Sequence, residues 1–159
     1  MFEFLQPLWD MLIQFVSEFG LFGLFIVSGL GATIFIPFSA EMSFPVLVGA
    51  SIPDLHILAA ATGGAYIGTV INYAIGYKGG KYALKDVAEK DLKKAQDMMN
   101  KYGWFGIMGA MVIPLPLPVD PITILCGIAR MDFLRFSAAI IAGKGLKYAI
   151  LLGILAFIL

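Results

Sequence analysis

Four apolar tracts alternate with polar breaks along the chain. Residues 55–77 and 133–159 form the second and fourth tracts, and the fourth is interrupted by Lys144 and Lys147. A membrane-spanning helix needs about 20 apolar residues, so each of these tracts predicts one span. The first tract, 19–49, is broken by Pro37, Glu41 and Pro45. The third, 103–129, is broken by Pro114, Pro116, Pro118, Asp120 and Pro121. Each proline lacks an amide donor and clashes with the preceding helical turn. Such backbone is tolerated at membrane depth only inside protein or along a wet cavity. Both tracts therefore predict a re-entrant hairpin: half-helix in, broken tip, half-helix out. A short amphipathic helix is expected ahead of the first tract, with no basic leader region before it to be removed.

Between the second and third tracts, residues 78–101 carry seven lysines against Asp86, Glu89, Asp91 and Asp97. The pairs Glu89–Lys93 and Asp97–Lys101 stand four apart in the favourable order. This predicts an amphipathic linker helix on the membrane surface, stopped at Gly103. The turn at 52–56 holds no lysine or arginine, so the positive-inside rule places the lysine-rich segment in the cytoplasm.

Composition points the same way. The 159 residues are 60% hydrophobic and 14% charged, with mean hydropathy +0.89. Soluble domains are about 45–50% apolar and about 25% charged. The expected class is an all-α, multi-pass protein of the cell membrane, with 1–159 as one domain. The net charge of zero removes nucleic acid as a partner. The single cysteine, Cys126, excludes an internal disulfide and a cysteine-built metal site. No Ser-His-Asp set, metal motif or phosphate loop is legible. No enzyme activity, cofactor or metal is expected.

The chain echoes itself. Phe19-Gly20-Leu21-Phe22-Gly23-Leu24 matches Tyr102-Gly103-Trp104-Phe105-Gly106-Ile107 as aromatic-Gly-x-Phe-Gly-aliphatic. Ile36-Pro37 echoes Ile113-Pro114, and Glu41 and Pro45 correspond to Asp120 and Pro121. Leu47-Val48-Gly49 echoes Leu125-Cys126-Gly127, with a small deletion between. The reading is a repeat over about 19–78, a linker over 79–101 and a second repeat over 102–159. A hairpin returns to its own side and a span crosses once, so the second copy must be inverted. Inverted repeats with discontinuous helices meeting near the midplane are a transporter architecture.

In the second tract Ala60, Gly64, Gly68, Asn72, Gly76 and Gly80 recur every four residues. This predicts a groove for close helix packing. Asn72 needs a partner inside the membrane, and a hairpin tip is the expected one; Tyr73 stands beside it. The series Gly64-xxx-Gly68-xxxx-Tyr73-xx-Gly76-xxx-Gly80 resembles the glycine–tyrosine signature of the DedA family, also called the SNARE-associated Golgi or VTT-domain family. Glu41 in IPFSAEMSFPVLVGA resembles the family's hairpin motif. Tyr102-Gly103, the proline cluster, Cys126-Gly127 and Phe133 resemble its second half. GKGLKY at 143–148 is closer to the YqaA-like branch. The resemblance implies two facing re-entrant loops and transport or scrambling of membrane lipids, coupled in some members to proton or sodium gradients. One feature departs from the family. Its second loop carries Pro-x-x-Arg, whereas Pro118 is followed here by Val119, Asp120 and Pro121, and the next arginine is Arg130.

Lys144 and Lys147 interrupt a tract that must cross in one piece. Residues 133–143 and 148–159 are each too short to span alone. An unpaired lysine at the centre costs roughly 2.5–3.5 kcal/mol on insertion scales. The partners at similar depth are Glu41 and Asp120. An intramembrane ionisable residue is a functional-site candidate by default, and a packing-only ion-pair network is the alternative. Asp54 reads as a helix cap or a proton relay, and Arg130 as an interfacial anchor or a substrate ligand. Together these features predict a lipid or lipid-linked phosphate transporter, with H+ or Na+ as coupling ion and a homodimer as a plausible assembly. The alternatives are an ion exchanger without lipid substrate and a structural membrane protein.

Overall fold

The structure, a computed structural model, describes residues 3, 6–33, 40–79, 89–112 and 119–158. The elements are α1 (Gln6–Gly31), a 3-10 turn (Ala40–Ser43), α2 (Phe44–Gly49), α3 (Asp54–Gly79), α4 (Glu89–Val112), α5 (Val119–Ile128) and α6 (Phe133–Ile158). No strand occurs among the described residues. Among the described residues, three helices are long and apolar enough to cross a membrane: Gln6–Gly31, Asp54–Gly79 and Phe133–Gly153. Two of them are the expected spans. The third arises because the N-terminal amphipathic helix runs straight into the first arm of the first tract.

That join is bent at Gly20, whose backbone is non-helical (φ 58°, ψ −129°). Gly103 does the same in α4 (φ 58°, ψ −142°). Gly103 is thus a kink and not the expected stop, because the helix resumes beyond it to Val112. L-residues with a Cβ are strained at positive φ, so glycine is what lets both helices turn.

The two halves share local geometry at matched positions. After α2, Ala50 N–H donates to Val46 O, Ser51 to Val48 O and Ile52 to Leu47 O. After α5, Ala129 donates to Leu125 O, Arg130 to Gly127 O and Met131 to Cys126 O. Each bond is displaced by 79 positions (50 to 129, 51 to 130, 52 to 131). Both sets are Schellman turns, in which a left-handed residue ends the helix and its neighbours satisfy the last carbonyls. The left-handed residues are Ser51 (φ 59°) and Arg130 (φ 52°). At this shift Leu47 stands with Cys126, Pro45 with Ile124 and Glu41 with Asp120. The starts of α3 and α6, Asp54 and Phe133, carry the same shift. The kinks, Gly20 and Gly103, are 83 positions apart, so the second half is shorter between its two arms.

Packing follows the same pattern. One buried cluster joins Leu24 and Val27 of α1, Phe44 and Leu47 of α2, Ile57 and Ala61 of α3, and Tyr148 and Leu152 of α6. The other joins Ile107 and Met111 of α4, Ile122 and Cys126 of α5, Tyr73 of α3, and Phe136 and Ile140 of α6. Each cluster holds the arms of one half and opposite ends of α3 and α6, so these two helices run antiparallel. Large apolar side chains remain outside, including Phe22, Leu55, Leu134 and Phe157. Their exposure suits lipid, because soluble monomers rarely leave such continuous apolar area open.

Candidate functional site

Lys147 lies near the middle of α6, and its Nζ is 2.5 Å from Glu41 Oε1. Glu41 stands in the 3-10 turn that leads into α2. The two side chains are 24% and 19% exposed, so the pair is neither sealed from solvent nor free in it. Next to the pair, Phe44 and Tyr148 meet edge to face with centroids 5.4 Å apart. Phe44 is fully buried, which pins the turn against α6. Lys144 is half-buried one helical turn before Lys147 and also has an interaction partner. Asp120 is the second residue of α5; its side chain and that of Pro121 lie outside the described residues, as do Pro114, Pro116, Pro118 and Gly80.

Asn72 joins the two halves. Its Nδ2 donates to the Ala32 carbonyl at 3.0 Å and to Thr123 Oγ1 at 3.2 Å. Ala32 directly follows α1, and Thr123 lies in α5. Asn72 and Thr123 are fully buried. A buried amide without a partner is costly, so these bonds fix where both arms meet α3. Sequence reasoning found Asn72 and missed Thr123, Ala32 and Tyr148. A lone threonine in the apolar run ITILCG was the available signal for Thr123.

The glycine ladder divides between the same two arms. A Cβ added at Gly64 or Gly68 would collide with the carbonyl oxygens of Phe25 and Gly29 in α1. One added at Gly76 would collide with the Ile124 carbonyl in α5. α3 therefore has backbone-close contact with α1 near its middle and with α5 towards its C-terminal end. Pro45 is at the start of α2, where a missing amide costs nothing.

The remaining candidates sit apart from the Glu41–Lys147 pair. Tyr73 Oη donates to the Met131 carbonyl at 2.6 Å and packs on Phe136, 4.6 Å between centroids. It clamps the α5–α6 turn. Arg130 lies in that turn with its guanidinium 5.0 Å from the centroid of Tyr77. Asp54 is exposed in the first turn of α3, where a negative charge suits the helix dipole. Asp54 and Tyr77 mark opposite ends of α3, so Asp54 and Arg130 belong to opposite ends of the molecule.

This arrangement defines an all-helical membrane protein in which two sets of short arms meet two long antiparallel helices. The VTT-domain family model matches residues 36–157, and the chain belongs to that family, the DedA family. An uncharacterized protein of Methanocaldococcus jannaschii is 28% identical over 151 residues, covering 94% of this chain and 91% of that protein. No solved structure matches the chain.

Proposed function

We propose that the protein moves a lipid or lipid-linked phosphate between leaflets, as a flippase or scramblase, with a proton or sodium ion exchanging at the carboxylates. The observation that carries this reading is the partly buried Glu41–Lys147 pair, with Lys147 at the middle of a helix long enough to span the membrane. Ionisable groups there are costly unless they serve a pathway or pin a fold. An anionic head group would compete with Glu41 for the lysine, and Lys144 would add a second cation. The lipid tail would stay in the bilayer while the head group crosses between the arms.

Duplication with inversion supports the reading. The matched Schellman turns, the paired kinks and the antiparallel α3 and α6 fit two copies of one unit facing opposite ways. On this reading the arms are re-entrant, the lysine-rich linker faces the cytoplasm, and a second copy of the chain completes the walls of the cleft. The experiment is a liposome assay of head-group flipping with a labelled anionic lipid. Wild-type protein should accelerate flipping over empty liposomes, and Lys147→Gln should lose most of that acceleration while still inserting. Flipping at the empty-liposome rate by correctly inserted wild type would leave the packing role of the pair as the answer.

A further inference from the structure

We propose that the crevice at the α4 kink is a docking site for a zwitterionic phospholipid head group, one carrying a phosphate and a primary ammonium. The crevice has a volume of about 380 Å³ and is lined by Gly103, Trp104, Ile107, Met131, Asp132 and Arg135, with Ala129 at its edge. Ligand pockets begin at about 300 Å³. The kink makes room for it, since no atom lies within 4 Å of where a Cβ would stand on Gly103.

Its charges are of both signs. Asp132 precedes α6, and its Oδ1 accepts the Arg135 N–H at 3.0 Å. That bond holds the carboxylate at the crevice. Arg135 is exposed one turn further on. A guanidinium fork matches phosphate, and the carboxylate offers the ammonium its partner. A purely anionic head group would meet the same arginine but also an uncompensated carboxylate. The neighbouring cations are engaged with aromatic rings: Arg130 lies over Tyr77 at 5.0 Å and Lys101 over Tyr102 at 5.1 Å. Trp104 is half-buried, and indoles are enriched at membrane–water interfaces. Ile107 and Met131 give an apolar floor for the glycerol and upper acyl carbons.

The dock belongs to one end of the molecule. By the register of the two halves, its lining corresponds to Leu21, Leu24, Ile52, Pro53 and His56 in the first half. The acid and the arginine have no counterparts there. The inference needs only the membrane setting of the family and does not depend on transport.

The test uses the full chain purified in detergent with phosphatidylethanolamine or phosphatidylglycerol of identical acyl chains. Native mass spectrometry counts the lipid retained. Wild type should retain about fivefold more phosphatidylethanolamine, the ratio expected for one partly exposed ion pair. Asp132→Asn keeps the helix cap, because asparagine and aspartate cap equally well, and it should abolish the preference. Arg135→Gln, at an exposed position, should lower retention of both lipids. Equal retention of the two lipids by wild type would overturn the proposal. So would a preference that survives in Asp132→Asn, or wild-type retention by Arg135→Gln. Because the readout is bound lipid, failure of flipping would not touch this result.

Discussion

Gly64 of α3 and Gly143 of α6 occupy the same environment in the two halves. A Cβ on Gly64 would meet the Phe25 carbonyl oxygen and the Ser28 Cβ; one on Gly143 would meet the Met108 carbonyl oxygen and the Met111 Cβ. The contacted residues correspond at the shift set by the kinks (25 to 108, 28 to 111), and the glycines at the shift set by the turns (64 to 143). Each long helix thus grips its own inward arm at the same point.

Alanine at these glycines should therefore destabilise the protein. At Gly64 both main-chain and side-chain atoms of α1 block the way, so the helices must separate. Overpacking of this kind costs about 1–3 kcal/mol. At Gly143 part of the obstruction is the Met111 side chain, which can shift. Thermal melting in detergent should rank Gly64→Ala below Gly143→Ala, with Gly49→Ala near wild type because nothing lies within 4 Å there. A Gly64→Ala protein that melts like Gly49→Ala would contradict the packing described.

Asn72 should behave as a link between the halves. Asn72→Leu removes both donated bonds, and with them one partner of Thr123 and the side-chain donor to the Ala32 carbonyl. Unsatisfied buried groups cost about 1–3 kcal/mol, although polar contacts between membrane helices average about 0.6 kcal/mol. A double-mutant cycle with Thr123→Val should show coupling of that order in melting measurements. Additive effects would mean that the Asn72–Thr123 contact contributes nothing.

The kinks are tested by Gly20→Ala and Gly103→Ala. Space is open at both positions, so any loss comes from backbone strain at a φ/ψ combination that glycine alone adopts freely, about 1–3 kcal/mol. Both variants should melt below wild type by similar amounts. A higher melting temperature for either would show that its helix is content to run straight.

Much of the fold was legible because lipid imposes simple rules. Length and hydropathy locate α3 and α6, while Pro37, Pro114, Pro116 and Pro118 lie outside the described residues. The aromatic-Gly-x-Phe-Gly-aliphatic echo contains both kink glycines but predicts neither kink. Sequence alone does not tell a helix that ends from one that turns and resumes; the φ and ψ of Gly103 decide it. Residue similarity is weak evidence of register among apolar segments, whereas the hydrogen bonds at Ser51 and Arg130 match at a shift of 79 positions. For the site, the cost of a lysine inside a span pointed to Lys147 and its acidic partner. The Asn72–Thr123 bond was out of reach, since it depends on how two distant arms meet α3.

The central claim is that Lys147 serves a head group and not only Glu41. The decisive measurement is a double-mutant cycle on Lys147→Gln and Glu41→Gln, reading detergent melting and lipid flipping side by side. Removing one partner of a buried pair costs about 3–5 kcal/mol at full burial, and less here, where both groups keep some solvent. Each single variant should therefore melt lower, and the neutral double variant should recover much of that loss. On this account the double variant is stable and still fails to flip an anionic lipid. Recovery of both melting and flipping in the double variant would contradict it and leave the pair as a packing device.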